Sequence, residues 1–319
     1  MSQNITISSP EEYKERVEKY SLVTLKAGSK TQGTSSETSD DDVKGIHFNP
    51  EWMDFPELAV DKASLGGNDI SSYGLDRFRE LLSKGNWDAV EMIYTGLAGG
   101  VYKDINQKDI IKFDDIVKLD NPHDRSAAKV CMKDGSLIGY EACKFEFPNP
   151  SRFVNCIEQP DIELLPLFYN PEWVISKDTF NNTKGFISYN SKSQQWVGEV
   201  VCKDMDLKTG EVKNSKHVQH AFRVYNTCIQ CIEESEKAGT VVPLRINREG
   251  IDADWLKELK YNNKYSANEL LEMLIEKKNK LEELMKNTTV IPEHISPVVV
   301  EFINRSCKRI KTKLYLRYL

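Results

Sequence analysis

Apolar residues three and four positions apart predict two helices in the N-terminal half of the chain. Leu75, Phe78 and Leu82 share one face of a helix that should end near Gly85. Asn86 is a favoured helix-capping residue, so a second helix is expected to follow it directly. Residues 46–100 therefore have a mainly helical pattern.

The C-terminal third has the same helical periodicity over longer stretches. A helix is expected to begin near His217 and to stop at Gly239, and a short one is expected over residues 254–260. Ser266, with Glu269 three residues later, forms a capping box at the start of the next helix. A last helix should begin near Pro297.

The centre of the chain has the two-residue alternation of β-strands. Val130 and Met132 alternate with polar or small residues, and Asp134-Gly135 is a strong hairpin turn. The return strand is expected over residues 143–147, and further strands over 185–189, 196–202 and 206–212. Strands that follow one another through tight turns predict a mainly antiparallel sheet.

Residues 28–45 are polar, with no aromatic and one aliphatic residue. Such a segment buries too little apolar surface to offset its ordering entropy, so we expect a mobile acidic linker after a short helix within residues 9–20. A solvated linker is the simpler interpretation. Phosphorylation directed by acidic neighbours is the alternative, and its candidates are Ser35, Ser36 and Ser39.

These patterns predict an α+β fold with a mobile N-terminal arm, a helical N-terminal part, a mainly antiparallel central β-sheet and C-terminal helices. We expect three parts: a helix and linker over residues 1–45, a helical and then β-rich core over 46–216, and a helical region with a basic tail over 217–319.

The composition limits the class of protein. Hydrophobic residues make up 39% of the chain and the net charge is −6, which allows a core and disfavours a protein that coats nucleic acid with its whole surface. No apolar stretch reaches the roughly 18 residues of a membrane span, and no signal peptide is evident. We expect reduced cysteines and a cytoplasmic or nuclear location.

Positive charge is concentrated in the last helix. Val299, Ile303 and Ile310 fall on one face, and Arg305, Lys308 and Arg309 fall roughly opposite. Basic side chains bind phosphates, and tyrosines stack on unpaired bases. The candidate binding residues for RNA or an acidic partner are Arg305, Lys308, Arg309, Lys311, Lys313, Tyr315, Arg317 and Tyr318. A terminal helix with one solvated face explains the same pattern without any ligand.

The motifs that could carry catalysis or bind metal are sparse. Thiol and imidazole ligands suggest zinc, and the weak candidates are His217, His220, Cys228 and Cys231. On one continuous helix the His pair and the Cys pair would lie about 16 Å apart, too far for one ion. His123-Asp124 could contribute to a site assembled from scattered residues, but it lacks a supporting pattern.

The leading hypothesis is a non-catalytic structural or interaction protein that self-associates or binds partners, with RNA as a candidate at the basic tail. We expect no cofactor and no structural metal. The alternatives are an enzyme or zinc-containing module, and a peripheral membrane protein held by the basic helix. Frequent Asn, Lys and Ile point to an AT-rich coding source, such as that of many viruses.

Overall fold

A computed structural model describes residues 20–48, 62–64, 70–96, 116–120, 129–132, 137–139, 156–158, 161 and 163–318. Helix accounts for 57% of the residues that can be interpreted, and the strands form small sheets. The fold is therefore α+β, as the sequence predicts. The helix expected within residues 9–20, the turn at Asp134-Gly135, the strand over 143–147 and His123-Asp124 lie outside the described residues.

The strands are short and spread along the chain. In chain order they are β1 (Ser21–Lys26), β2 (Val43–His47), β3 (Lys62–Ser64), β4 (Ile70–Gly74), β5 (Ile116–Asp120), β6 (Lys129–Met132), β7 (Leu137–Gly139), β8 (Cys156–Glu158), β9 (Ser188–Asn190), β10 (Gln195–Val197), β11 (Met205–Asp206) and β12 (Glu211–Val212). The five-stranded sheet has the order β3-β4-β2-β1-β8, and β5-β6-β7 form a separate antiparallel sheet.

The larger sheet draws two of its five strands, β3 and β4, from the part of the chain that was predicted to be helical. Strand β1 is antiparallel to β2 with Val23 opposite Ile46, whereas β2 and β4 run parallel. Leu22, Val23 and Leu25 are buried, so this sheet forms part of the core. The prediction of a helical N-terminal part was therefore incomplete, because strands of three to six residues give too weak an alternation to be recognised.

The segment predicted to be a mobile linker is also packed onto the protein. Residues 28–45 contain helix α1 (Gly28–Thr31) and enter β2 at Val43. Thr31 and Thr34 are buried, and the backbone N–H of Arg248 donates to the carbonyl of Gln32 over 2.9 Å. Backbone hydrogen bonds to distant residues thus give secondary structure to a segment whose side chains are polar, and the mobility of this segment stays a prediction.

Within the described residues, the six helices predicted over residues 75–95 and 215–318 are present, together with two short helices within residues 165–181 that were not predicted. They are α2 (Leu75–Ser83), α3 (Trp87–Thr95), α4 (Leu165–Tyr169), α5 (Lys177–Asn181), α6 (Ser215–Ala238), α7 (Ala253–Tyr261), α8 (Ala267–Asn287) and α9 (Pro297–Tyr318). Asn86 caps α3, Gly239 ends α6 in the left-handed conformation, and Ser266 and Glu269 form the predicted capping box of α8.

Helix α6 runs through the apolar core. Its buried residues include Val218, Phe222 and Ile232, and α7 and α8 pack against it. The predicted strand over residues 196–202 ends early, because Val200–Asp204 forms a π-helical turn instead. This turn packs against the start of α6 and places polar groups beside that helix.

Candidate functional site

The inner face of α9 is apolar and buried, as its periodicity predicts. Val299, Ile303, Cys307 and Ile310 are each at most 2% exposed, and α9 packs against α2. Burial raises the pKa of the Cys307 thiol to about 12, so this cysteine remains an uncharged core residue. The inner face therefore anchors the basic helix and is not available to a partner.

Three of the candidate basic residues form ion pairs with the body of the protein. Lys313 Nζ lies 3.0 Å from Glu163 Oε1, and Arg309 Nη1 lies 3.5 Å from Glu163 Oε2. Lys311 is paired with Asp76, the second residue of α2. Glu163 is buried, so its charge is partly shielded from water and balanced by these cations. The structure thus uses these three cations internally.

The opposite side of α9 faces solvent. We define the outer stripe as Arg305, Lys308, Thr312, Tyr315 and Leu316, which recur at helical spacing. Tyr315 is 41% and Leu316 is 71% exposed. Arg305 pairs with Glu301 on its own helix, whereas exposed Lys308 has no ion pair within the described residues. The side chains of Arg317 and Tyr318 lie outside the described set.

A charge cluster, called the buried charge cluster here after its two central residues, lies where β2, α3 and α6 meet. It consists of Glu91 and Arg223, which are buried, Lys44 and His220, which are partly buried, and Asp88, whose side chain is 47% exposed. Arg223 Nη1 is 2.8 Å from Glu91 Oε1, Lys44 Nζ is 3.5 Å from Glu91 Oε2, and His220 Nδ1 is 3.1 Å from Arg223 Nη2. Local sequence patterns did not predict this cluster, although Arg223, an arginine within the apolar stripe of α6, is a signal for it.

Electrostatics fix the protonation of the buried charge cluster. Burial disfavours the Glu91 carboxylate, but Arg223 and Lys44 outweigh burial and hold its pKa at about 2. Burial, followed by repulsion from Arg223, lowers the pKa of His220 to about 3, so its imidazole is neutral. The positive charges of Lys44 and Arg223 balance the negative charges of Asp88 and Glu91. We therefore infer that the cluster has a structural role.

A second polar pair involves one of the histidines predicted as a weak zinc candidate. His217 Nδ1 lies 2.5 Å from Asp204 Oδ2, and the side chain of Asn214 caps α6 by accepting from the backbone N–H of His217. Asp204 is buried at the end of the π-helical turn, whereas His217 is partly exposed. A carboxylate that orients an imidazole in this way is one element of a general base.

The structure does not assemble a metal site from the four candidate ligands. Within the described ranges, no group of three or more His, Cys, Asp or Glu side chains could hold a metal ion. The rings of His217 and His220 stack with centroids 6.4 Å apart. Burial raises the pKa of Cys228 well above its ordinary value and that of Cys231 to about 12, so both remain protonated thiols.

The predicted phosphorylation candidates lie between α1 and β2 and are partly buried. Ser39 Oγ is 2.9 Å from the hydroxyl of Tyr261, and it accepts a hydrogen bond from the backbone N–H of Ser36 over 2.9 Å. Burial would raise the pKa of Tyr261, but hydrogen bonds with Lys260, Ser36 and Ser39 hold it at about 8. Ser35 lies beside this group in the same loop.

Comparisons with known proteins give no relative: no family model matches the chain, and no curated protein or solved structure shows significant similarity to it. Among the helices of the described residues, none combines the length and apolar character of a membrane span.

Proposed function

We propose that this protein is a non-catalytic binding protein, and that the outer stripe of α9 docks an acidic protein partner. The observation that carries the proposal is the division of α9 into two sides. Its inner cations face Asp76, Asp161 and Glu163, whereas Lys308 and the aromatic and aliphatic residues near the helix end face solvent.

The balance of exposed groups favours a protein partner over RNA at this helix. A nucleic-acid backbone is held by several simultaneous cation–phosphate contacts. Lys311 and Lys313 could supply them only by leaving their carboxylates. A protein interface instead combines a few cations with aromatic and apolar anchors, which is what Lys308, Tyr315 and Leu316 offer.

The strongest interior ion pair also supports a binding role. Glu91 and Arg223 are buried against each other, and His220 is held neutral beside them. These groups stabilise the interior, whereas catalytic groups must reach a substrate. An enzyme that uses the Asp204–His217 pair remains the competing proposal.

The test is the affinity of the full chain for a fluorescein-labelled amphipathic peptide rich in Glu and Leu, measured by fluorescence anisotropy. A peptide of the same pattern with Gln in place of Glu is the ligand control. Lys308→Glu and Tyr315→Ser should each weaken binding of the acidic peptide by about tenfold or more. Lys286→Glu, at an exposed position of α8 without a recorded ion pair, should not.

Self-association through the same stripe is the other outcome to be measured. Size-exclusion chromatography with light scattering gives the mass of the wild-type protein and of Lys308→Glu. If the wild type is a dimer and Lys308→Glu is a monomer, the partner of the outer stripe is a second copy of the chain and not an acidic protein. Equal peptide affinity for the wild type and both stripe variants would reject the proposal.

A further inference from the structure

The hairpin formed by β9 and β10 has a well-defined shape. Tyr189 lies opposite Trp196, and Asn190 lies opposite Gln195. In the connecting loop, the Asn190 side chain accepts from the backbone N–H of Lys192 over 3.0 Å and from that of Ser193 over 3.3 Å. Gln194 adopts the left-handed conformation with φ 53°. These contacts order the loop, so its side chains are presented in a fixed arrangement.

Gly198 closes the base of the hairpin, directly after β10. Its φ of 127° is rare for other residues, and a Cβ there would lie 2.5 Å from the carbonyl oxygen of Phe186. The backbone N–H of Val200 donates to the same oxygen over 3.2 Å. The close approach of the two backbones therefore continues the pairing of β9 and β10 to the start of the π-helical turn.

An aromatic pair lies on one face of the hairpin. The ring centroids of Tyr189 and Trp196 are 5.4 Å apart at an interplanar angle of 62°, so the indole does not cover the phenol face to face. Tyr189 is 52% exposed, and Trp196 packs partly against the core. Lys278 Nζ lies 6.0 Å from the centre of the Trp196 ring. A rigid, half-exposed ring of this kind can stack on a planar ligand.

The hairpin itself carries positive charge, whereas the nearby Glu199 and Glu282 are paired with Lys203 and Lys278. Residues 184–198 contain Lys184 and Lys192 and no acidic residue. Both lysines are exposed, and neither has an ion pair within the described residues. The remaining exposed side chains here are mainly amides and hydroxyls, from Asn190, Gln194 and neighbouring serines. The two lysines of the hairpin thus differ from the cations of α9, most of which already face carboxylates.

We propose that this hairpin is a binding surface for single-stranded nucleic acid. A base stacks on Tyr189, and Lys184 and Lys192 contact the phosphates on either side. Amide and hydroxyl groups near the loop donate to the sugar and base edges. The exposed tyrosine complements the flat face of a base, and the exposed lysines complement the negative charge of the phosphates. The site is separate from the outer stripe and does not depend on the function proposed for α9.

The test is binding of the full chain to fluorescein-labelled ten-nucleotide oligouridylate, followed by anisotropy at about 50 mM and about 200 mM salt. Tyr189→Ser should weaken binding by about fivefold or more, whereas Tyr189→Phe, which keeps the ring, should bind like the wild type. Lys192→Gln should weaken binding and lower the slope of log affinity against log salt by about one. Oligothymidylate in parallel separates ribose-dependent from ribose-independent binding.

Controls separate this site from the tail and from a folding defect. Lys308→Glu should leave oligonucleotide affinity unchanged, and far-UV circular dichroism and thermal unfolding should show that each hairpin variant is folded. The proposal is overturned if the wild type does not bind either oligonucleotide. It is also overturned if Tyr189→Ser binds like the wild type, or if Lys308→Glu abolishes binding while both hairpin variants retain it.

Discussion

Arg223 in the middle of α6 forms an ion pair with Glu91 in α3, with 2.8 Å between Nη1 and Oε1, and their side chains are 0% and 5% exposed. Lys44 and Gln32 also reach Glu91, over 3.5 and 3.4 Å. The pair therefore joins the sheet, α3 and α6 through one carboxylate. The ion pair matters for stability mainly because removal of one partner would leave the other charge buried and unpaired.

Glu91→Gln should strongly destabilise the protein, because it leaves the buried Arg223 without its carboxylate. The expected loss in the free energy of unfolding is about 3–5 kcal/mol, measured by urea denaturation. Glu80→Gln is the matched control, because Glu80 forms exposed pairs with Arg77 and Lys84 and its replacement should change stability little. If Glu91→Gln costs no more than Glu80→Gln, Glu91 does not balance Arg223.

His220 should make the folded state sensitive to mild acid. Its pKa falls from 6.5 to about 3 because of burial and the Arg223 charge, so the unfolded chain binds the proton more tightly. The stability is fully present above pH 6.5 and is lost as pH falls toward 3, by up to about 1.4 kcal/mol per pH unit. Glu91 acts in the same direction, but only below its ordinary pKa of 4.5.

The check is to compare the wild type with His220→Gln by urea denaturation at several pH values. The variant should lose less stability between pH 6.5 and 4.5, because its side chain does not titrate, and the two curves should run parallel above pH 7. Equal slopes for both proteins in the lower window would mean that His220 gains its proton in the folded state.

Gly198→Ala should destabilise the hairpin region. The substitution places a side chain at φ 127° and a Cβ 2.5 Å from the Phe186 carbonyl oxygen, so the backbone must shift. We expect a loss of at least about 2 kcal/mol in thermal or urea unfolding. Gly185→Ala is the control, because a Cβ there meets nothing within 4 Å. Similar stabilities for the two variants would contradict the close approach.

Local signals in the sequence predicted the helices well. Asn86, Ser266 and Gly239 act on backbone groups within a few residues, so their effects can be read from the chain itself. The sheet was harder to predict, because β1 and β2 are short and each depends on pairing with a separate strand. The parallel pairing of Val43 with Ile70 has no counterpart in local periodicity.

The candidate site was predicted in part. Amphipathic spacing identified the buried positions Ile303 and Ile310 of α9. It could not show that Lys313 meets Glu163, because the ion pair depends on how two distant segments pack. For the same reason, the sequence did not show that Arg223 pairs with Glu91. The sequence thus located the basic helix but overestimated the number of cations available to a partner.

Lys313→Glu should loosen the end of α9 without unfolding its beginning. The new carboxylate would face Asp161 and Glu163, which lie 3.6 and 3.0 Å from Lys313 Nζ. Because the buried apolar positions end at Ile310, repulsion should release mainly the last turns. Backbone amide exchange should become faster over residues 311–318 and stay unchanged over 299–307, with a global cost of about 1 kcal/mol.

Two further variants make this prediction specific. Lys308→Glu makes the same change of charge on the outer stripe, at a lysine without an ion pair among the described residues, and should leave exchange unchanged. The double variant Lys313→Glu with Glu163→Lys restores an ion pair in the reverse sense and should slow exchange again. If the Lys313→Glu helix end exchanges like the wild type, apolar packing alone holds α9. In that case the acidic residues beside it do not restrain the tail.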